Sequence, residues 1–297
     1  MPAAGFDTTR VSRLIEMLPL TRRTRVVDVG ANPINGTPPY GNLLAMGGCE
    51  VWGFEPEETA FARLTNSETE TYLPYAVGDG SEAVLNVTRS ISLSSLLTPD
   101  ARTAAMFQRF SRPGTVERQV PVTTHRLDDL DDVPEFDLLK IDVQGGELQV
   151  YSGAARKLET AAAVISEVAF VPLYEDQPLL DAQMAHLRGH GMDFHKFLFT
   201  KGFSLRGGVG SLLEKRKHGN QLLDGDAVFI RSLRFPEAQT DEALGHLAVL
   251  ADAVFESFDV AARCVQLLVD RGRITKRDAE SYVRTLPDLA QSEKVRA

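Results

Sequence analysis

The sequence predicts an α/β fold in which a mostly parallel sheet carries helices on both faces. Short β-branched runs alternate with segments of helical periodicity along most of the chain. Several of these runs end at an acidic residue, which is typical of strands whose carboxyl ends border a ligand site. From Pro236 onwards only helical periodicity remains, so we expect a helical appendage after the sheet.

The composition is that of an ordinary globular protein. Of 297 residues, 43% are hydrophobic and 25% are charged, which allows a sizeable core without disulfides or metals. The two cysteines form neither a disulfide framework nor a metal-binding spacing. The net charge of −9 argues against nucleic-acid binding, and no apolar run is long enough to span a membrane. We expect a cytoplasmic enzyme.

The first predicted strand ends in the turn around which the predicted site is organised. A helix over residues 8–18 leads into the strand at 25–29, whose sequence is RVVDV. Gly30 follows directly and permits a tight turn that a side chain would obstruct. In an open α/β sheet this is a place where ligands bind. A buried strand with an incidental glycine is the alternative.

The second predicted strand, at 50–54, ends in Glu55-Pro56, and Pro56 suits the first turn of a helix. Glu55 lies 25 residues after Gly30, close to the spacing of about 20 expected for an acid that binds ribose hydroxyls. The residues after Gly30 match neither the dinucleotide pattern G-x-G-x-x-G nor a phosphate loop. A cofactor with a ribose but no pyrophosphate fits better, and S-adenosylmethionine is the leading candidate.

The third predicted strand spans Tyr72 to Val77 and is followed by Asp79. Asp79 would accept a hydrogen bond from an adenine amino group, and a plain Asp-Gly turn is the alternative. Residues 84–88 and 120–124 alternate like two paired strands. The stretch between them is cationic, which indicates either a solvated face or a site for an anionic substrate; its arginines are Arg102, Arg109, Arg112 and Arg118.

The fourth predicted strand, at 136–142, contains Lys140 and Asp142 within an apolar run. Because an unpaired buried charge is costly, they form either an ion pair or a functional site. The fifth predicted strand, at 163–168, again ends near an acid, Glu167. The last two strands, at 193–199 and 227–230, are predicted as an antiparallel edge pair. The glycine-rich connection at 201–225 is predicted to act as a lid.

The C-terminal region, 236–297, has an apolar helical stripe too strong for a free surface helix. Thr275 resembles the start of a capping box for the last helix. We expect this appendage to cover the core, and a homodimer contact is the alternative. The predicted organisation is an N-terminal helix in 1–23, a main domain in 24–235 and the extension in 236–297.

Four motifs resemble the FkbM-type methyltransferase family, and the resemblance covers about residues 24–232. They are VDVGAN at 27–32, FEP at 54–56, THRLDDL at 124–130 and DLLKIDVQGGE at 137–147. The family is similar to other class I S-adenosylmethionine-dependent methyltransferases, which implies a Rossmann-like, seven-stranded sheet whose last strand is antiparallel. Its members are generally O-methyltransferases acting on sugars or secondary metabolites, so the acceptor is expected to be a small molecule or glycan.

The resemblance also implies roles for individual residues. Asp142 stands where the family places the acid nearest the methyl group, and Ile34 stands where the family usually has a second glycine. The implied cofactor residues are Asp28, Gly30, Ala31 and Asn32 on the methionine side, Glu55 with Pro56 at the ribose, and Asp79 at the adenine.

Methyl transfer is a direct displacement, so alignment of the acceptor oxygen is the main task and a base assists it. The candidate catalytic residues are Asp142, Lys140, Glu167 and His125. Asp142, Glu167 and His125 are the candidates for the base. A divalent metal that lowers the acceptor pKa is a less favoured alternative. Two alternative functions are that of a nicotinamide-dependent oxidoreductase and that of a non-catalytic cofactor-binding protein on the same fold.

Overall fold

The computed structural model describes residues 6–32, 36–107, 110, 112–205, 207–214 and 219–291. Its strands are β1 (Thr24–Val29), β2 (Cys49–Phe54), β3 (Glu70–Leu73), β4 (Ala76–Val77), β5 (Glu82–Thr88), β6 (Val116–His125), β7 (Leu138–Ile141), β8 (Ala163–Ala169), β9 (Met192–Phe203) and β10 (Gln221–Arg231). Its α-helices are α1 (Thr8–Met17), α2 (Gly41–Ala45), α3 (Glu58–Phe61), α4 (Ala101–Met106), α5 (Glu147–Gly153), α6 (Ala155–Leu158), α7 (Leu180–Gly189), α8 (Asp241–Ala253), α9 (Phe258–Asp270) and α10 (Lys276–Val283).

Seven strands form the main sheet, in the order β3-β2-β1-β7-β8-β10-β9. The first five are parallel to one another, whereas β10 is antiparallel to both of its neighbours. This arrangement confirms the predicted mostly parallel sheet with an antiparallel edge pair. The carboxyl ends of β1, β2, β7 and β8 therefore lie at one edge of the sheet.

Helices cover both faces of this sheet, because its central strands are apolar on both sides. Val26 and Leu138 belong to one buried cluster, with residues of α1, α8, α9 and α10. The next residues along, Val27 and Leu139, belong to a second buried cluster, with residues of α5, α6 and α7. The C-terminal helices thus pack on the sheet as one of its two covering layers.

A second, smaller sheet has the order β4-β6-β5. The predicted pairing of residues 84–88 with 120–124 is confirmed, since Val84 lies opposite Pro121 in an antiparallel register. The predicted third strand is wrong as a single element. Its first half, β3, pairs with β2 in the main sheet, and its second half, β4, pairs with β6 in the small one.

The connection predicted to be a glycine-rich lid at 201–225 is shorter than expected. β9 continues to Phe203 and β10 begins at Gln221, so both ends of the segment are strand. Thr200 lies opposite Gly225, and Phe203 lies opposite Gln221. Within the remaining segment, residues 206 and 215–218 lie outside the described residues.

Candidate active site

Gly30 brings the ends of β1 and β7 together. Its φ of +83° lies in the left-handed region that favours glycine. A Cβ at this position would lie 2.0 Å from the backbone oxygen of Asp142. The N–H groups of Gly30 and Ala31 both donate to the carbonyl of Phe54, at 3.0 and 2.9 Å, and so join the turn to the end of β2. The sequence prediction of a tight turn at Gly30 is confirmed.

Lys140 forms an ion pair with Asp28 on the neighbouring strand. The two residues are register partners in β7 and β1, and the Lys140 Nζ lies 3.0 Å from Asp28 Oδ1. Tyr40 donates its hydroxyl to Asp28 Oδ2 at 2.6 Å. Burial alone would lower the pKa of Lys140, but the carboxylates of Asp28 and Asp142 raise it above its usual value. Among the described contacts, the salt bridge of Lys140 is thus with Asp28, and a bridge to Asp142 is not formed.

Gln144 links two carboxylates at the end of the sheet. Its side-chain Nε2 donates to Asp142 Oδ1 at 2.8 Å and to Glu167 Oε2 at 2.6 Å. Its Oε1 accepts from the Tyr174 hydroxyl at 2.9 Å, and its backbone oxygen accepts from the Ser95 hydroxyl at 2.6 Å. The amide is therefore held on both sides, and it holds Asp142 and Glu167 close to each other.

Burial raises the pKa of Glu167 well above its ordinary value, and the nearby carboxylate of Asp142 adds to this effect. Asp226 lies opposite Glu167 in the β10–β8 register. Burial and Asp142 raise the pKa of Asp226 to about 6. These carboxyl groups therefore hold protons more readily than exposed ones, which is a property of many acid–base sites.

A large cavity of about 970 Å³ opens above these groups. Its wall combines charged residues from five strands with aromatic residues. The residues that define its chemistry are Asp28, Lys140, Asp142, Gln144, Glu167, Lys196, Lys201, Asp224, Asp226, Phe110, Phe199 and Phe203. Lys201 is paired with Asp224 at 3.0 Å. A cavity of this size falls in the range that accommodates small-molecule ligands.

A second, narrow cavity lies beside the large one and runs between the ends of β1, β2 and β7. Its wall is largely apolar, with Val77, Leu85 and Leu96, and it also contains Gly30, Glu55 and Pro56. Four residues line both cavities: Asn32, Ser92, Asp142 and Gln144. Asp142 and the amide of Gln144 that binds it thus stand at the border between the narrow cavity and the large one, whereas Glu167 lines only the large cavity.

Glu55 is a buried carboxylate in the narrow cavity. Only 6% of its surface is exposed, and its Oε1 accepts a hydrogen bond from the Glu57 N–H at 2.8 Å. Burial raises the pKa of Glu55 to about 7, although the hydrogen bond from Glu57 works in the opposite direction. A ligand that donates two adjacent hydroxyls would stabilise the charged form of this group.

The structure brings most of the predicted site residues together. The large cavity is lined by Asp28, Ala31, Asn32, Lys140, Asp142 and Glu167, and the narrow one by Gly30, Asn32, Glu55, Pro56 and Asp142. Two predicted residues lie outside both. Asp79 is exposed and accepts from the Ser81 N–H and hydroxyl at 3.0 and 2.6 Å, as in the alternative of a local turn. His125 instead packs against Tyr75, with the two rings tilted and their centroids 4.5 Å apart.

The described arginines of the predicted cationic stretch do not gather at the large cavity. Arg118 lies 3.5 Å from Glu57, Arg102 and Arg112 are exposed, and none of the three lines the large cavity. Arg109 lies outside the described residues, as does Ile34 of the first turn. An anionic acceptor therefore stays a prediction.

Two kinds of feature are absent from the described part of the chain. It contains no group of three or more His, Cys, Asp or Glu side chains arranged to hold a metal ion. None of its helices is both long and apolar enough to cross a membrane.

Sequence reasoning missed several residues of the large cavity, namely Tyr40, Gln144, Lys201, Asp224 and Asp226. Asp224 and Asp226 alternate within the apolar run of β10, so their side chains share one face of the strand. Two acids at this spacing in an otherwise apolar strand are visible in the sequence, and they could have been recognised there as candidate site residues. Gln144 lies in a quoted motif, but its left-handed φ of +56° becomes apparent only in the structure.

Comparison with protein families and structures gave the following results. The model of the methyltransferase FkbM domain matches residues 28–194, which is more than half of the chain. Comparison with curated proteins finds no match. Among solved structures, the methyltransferase FkbM of Methylobacillus flagellatus KT aligns at 13% identity with a TM-score of 0.39. The alignment covers 73% of this chain and 47% of that one, so the chain spans about half the length of that relative.

Two further structures show similar levels of likeness. The magnesium protoporphyrin IX methyltransferase of Synechocystis PCC 6803, solved with bound S-adenosylmethionine, aligns at 14% identity and TM-score 0.34, covering 76% of this chain and 79% of that one. A putative S-adenosylmethionine-dependent methyltransferase of Listeria monocytogenes aligns at 10% identity and TM-score 0.37, covering 76% and 98%. On the match of the family model over residues 28–194, the chain belongs to the FkbM methyltransferase family.

Proposed function

We propose that this protein transfers the methyl group of S-adenosylmethionine to a hydroxyl oxygen of a sugar, glycan or secondary metabolite. The observation that supports this most is the position of Asp142 and Gln144 at the border of two cavities. One cavity carries the buried carboxylate Glu55 and is narrow and largely apolar, while the other is large and has many charged side chains in its wall. A donor and an acceptor placed in the two cavities would meet beside Asp142 and Gln144.

The residues of the narrow cavity are chemically suited to an adenosyl group, and the cavity itself, of about 80 Å³, would have to widen to hold one. Glu55 offers a largely buried carboxylate to a pair of ribose hydroxyls, and Val77 and Leu85 offer an apolar wall to a base. The backbone of the Gly30 turn and the side chain of Asn32 would face the methionine portion. When bound, S-adenosylmethionine supplies a methyl group activated by the positive charge of its sulfonium sulfur.

The residues of the large cavity are suited to orienting an acceptor and removing its proton. Asp142 and Glu167 are held by the Gln144 amide, so their orientation does not depend on the acceptor. A carboxylate with a raised pKa, such as Glu167, is a better base once it is deprotonated. Lys140, fixed by Asp28, keeps a positive charge beside them. In our proposal Asp142 or Glu167 accepts the hydroxyl proton as the oxygen attacks the methyl carbon.

The proposed function can be tested with purified protein and methyl-labelled S-adenosylmethionine. We expect label to pass to one component of a cell-envelope glycan or metabolite fraction, as a methyl ether that resists mild base. Asp142→Asn is the matched control and should lose this transfer. Oxidation of a fraction component with reduction of a nicotinamide dinucleotide, and no label transfer, would contradict the proposal and favour the oxidoreductase alternative.

A further inference from the structure

A third cavity, of about 480 Å³, adjoins the large one. Leu93, Phe110 and Leu173 line both cavities, so they form a common wall. The rest of the wall includes Thr98, Asp100, Ala101, Ala104, Ala105 and Tyr174. No residue assigned to the cofactor or to the proton transfer lies in this third cavity.

Two of the polar side chains of this wall, Asp100 and Tyr174, already have hydrogen-bond partners within the protein. Asp100 Oδ1 accepts the N–H groups of Arg102 and Thr103, at 2.6 and 3.0 Å, and so caps α4. The Tyr174 hydroxyl lies 3.0 Å from the Leu93 carbonyl and 2.9 Å from Gln144 Oε1. A ligand in this cavity would therefore meet mainly aliphatic and aromatic surface.

The space exists because of three small side chains on α4. Ala101, Ala104 and Ala105 follow the i, i+3, i+4 spacing that places residues on one helix face. The helix is anchored from its other side by the buried residues Thr103 and Phe107. Phe107, Phe110 and Phe203 contact one another edge to face, with centroids 5.4 to 6.2 Å apart. The wall is thus preformed, and larger side chains at the alanine positions would fill it.

We infer that this cavity takes the aliphatic portion of an amphiphilic acceptor whose reacting hydroxyl lies beside Asp142. The inference rests on the proposed function, since it places the acceptor in the large cavity. The two cavities border each other at Leu93, Phe110 and Leu173, which supports this occupant, because a molecule that extends past these side chains contacts both cavities. Burial of an alkyl chain against such a wall is favourable in proportion to its apolar area.

The test uses methyl, hexyl and decyl β-glucosides, below the concentrations at which they form micelles, titrated calorimetrically into protein saturated with S-adenosylhomocysteine. We expect affinity to rise with chain length, by up to about fourfold for each added methylene. Ala104→Phe, which fills the cavity, should remove this dependence, and Ala105→Trp provides a second variant should the first fold poorly. Arg102→Phe adds the same ring at an exposed position of α4 that does not line the cavity, and should retain the dependence.

Two results would overturn the inference. The first is an affinity that does not change with chain length in the wild type. The second is a chain-length dependence that persists in Ala104→Phe and Ala105→Trp, because the alkyl chain would then lie elsewhere. Binding of S-adenosylhomocysteine is measured separately in every variant. Its absence in the wild type would count against the proposed function, whereas its presence without a chain-length effect would count only against this inference.

Discussion

Glu55 shows how one buried carboxylate can link cofactor binding to pH. Its pKa of about 7 in the ligand-free protein is a consequence of burial. Two hydroxyl donors of a ribose would stabilise the charged form and not the neutral one. At a pH below 7 the carboxyl group must therefore lose a proton before it can bind the ribose in this way, and above 7 that cost disappears.

We predict that the affinity for S-adenosylhomocysteine rises with pH between about 5.5 and 7.5 and then levels off. Calorimetry across this range in two buffers would also detect the proton released on binding below pH 7. Glu55→Gln should bind more weakly and lose most of this pH dependence. An unchanged pH profile in Glu55→Gln would show that another group is responsible.

Asp28 and Asp142 are adjacent carboxylates for which we predict different roles. Asp28 is 3% exposed and holds Lys140, so Asp28→Asn should leave a buried ammonium group without its counter-charge. Loss of one partner of a buried pair costs about 3–5 kcal/mol of unfolding free energy.

Asp142→Asn preserves an oxygen for Gln144 and should keep both stability and cofactor affinity. It should lower turnover by about 10²-fold or more.

Denaturant unfolding, calorimetry and label transfer on the two variants separate these roles. If Asp142→Asn is destabilised as much as Asp28→Asn and remains active per folded molecule, Asp142 is structural. Glu167 would then be the remaining candidate base, because His125 lies outside the cavities.

At the scale of elements, the turn between β1 and the following segment decides whether the site can form. Gly30→Ala would place a Cβ 2.0 Å from the Asp142 backbone oxygen, so the ends of β1 and β7 would have to separate. Gly47 has a similar φ, +75°, but nothing lies within 4 Å of a Cβ there. We predict that Gly47→Ala lowers the free energy of unfolding by about 1–2 kcal/mol, which is the cost of the left-handed conformation for a residue with a Cβ. Gly30→Ala should lower the free energy of unfolding by more than this, as measured by urea unfolding. It should also abolish cofactor binding, as measured by calorimetry. Equal effects of the two substitutions would contradict this account.

The strands of the main sheet were largely predictable, because β-branched runs bounded by turns are a local property of the sequence. The third strand was not, because Pro74 and Tyr75 break it and its two halves join different sheets. Apolar periodicity identifies a strand but does not name its partner. The same limit applies to Asp226, which reaches Glu167 only through the antiparallel pairing of β10 with β8.

At the scale of the whole molecule, a buried network of polar side chains connects α1 with α8 and α10. Asp252 of α8 binds Arg10 of α1 at 2.9 Å and accepts from the Tyr282 hydroxyl of α10 at 2.8 Å. We predict that Asp252→Asn lowers the free energy of unfolding by about 3–5 kcal/mol while cofactor affinity stays the same. Lys276→Gln, in an exposed pair with Glu280, is the control and should change stability by less than about 1 kcal/mol. A loss of cofactor affinity in folded Asp252→Asn would show that this network also shapes the site.

The predicted capping of the last helix is confirmed, since Thr275 accepts from the Asp278 N–H at 3.1 Å. The predicted cover of the core is likewise seen in the packing of α8 to α10 on the sheet. Cavities are harder to predict, because they depend on which small residues meet in space. The alanines of α4 border a cavity only because Leu173 and Tyr174, some seventy residues away, form its other side. A homodimer through the C-terminal helices stays a prediction.

The most direct test of the central claim is a calorimetric titration of the protein with S-adenosylmethionine, its demethylated product and a nicotinamide dinucleotide. The account predicts one site that binds both sulfur ligands with micromolar affinity, about −8 kcal/mol, and no binding of the dinucleotide. Binding of the dinucleotide, with no heat from either sulfur ligand, would contradict the assignment of this chain as an S-adenosylmethionine-dependent methyltransferase.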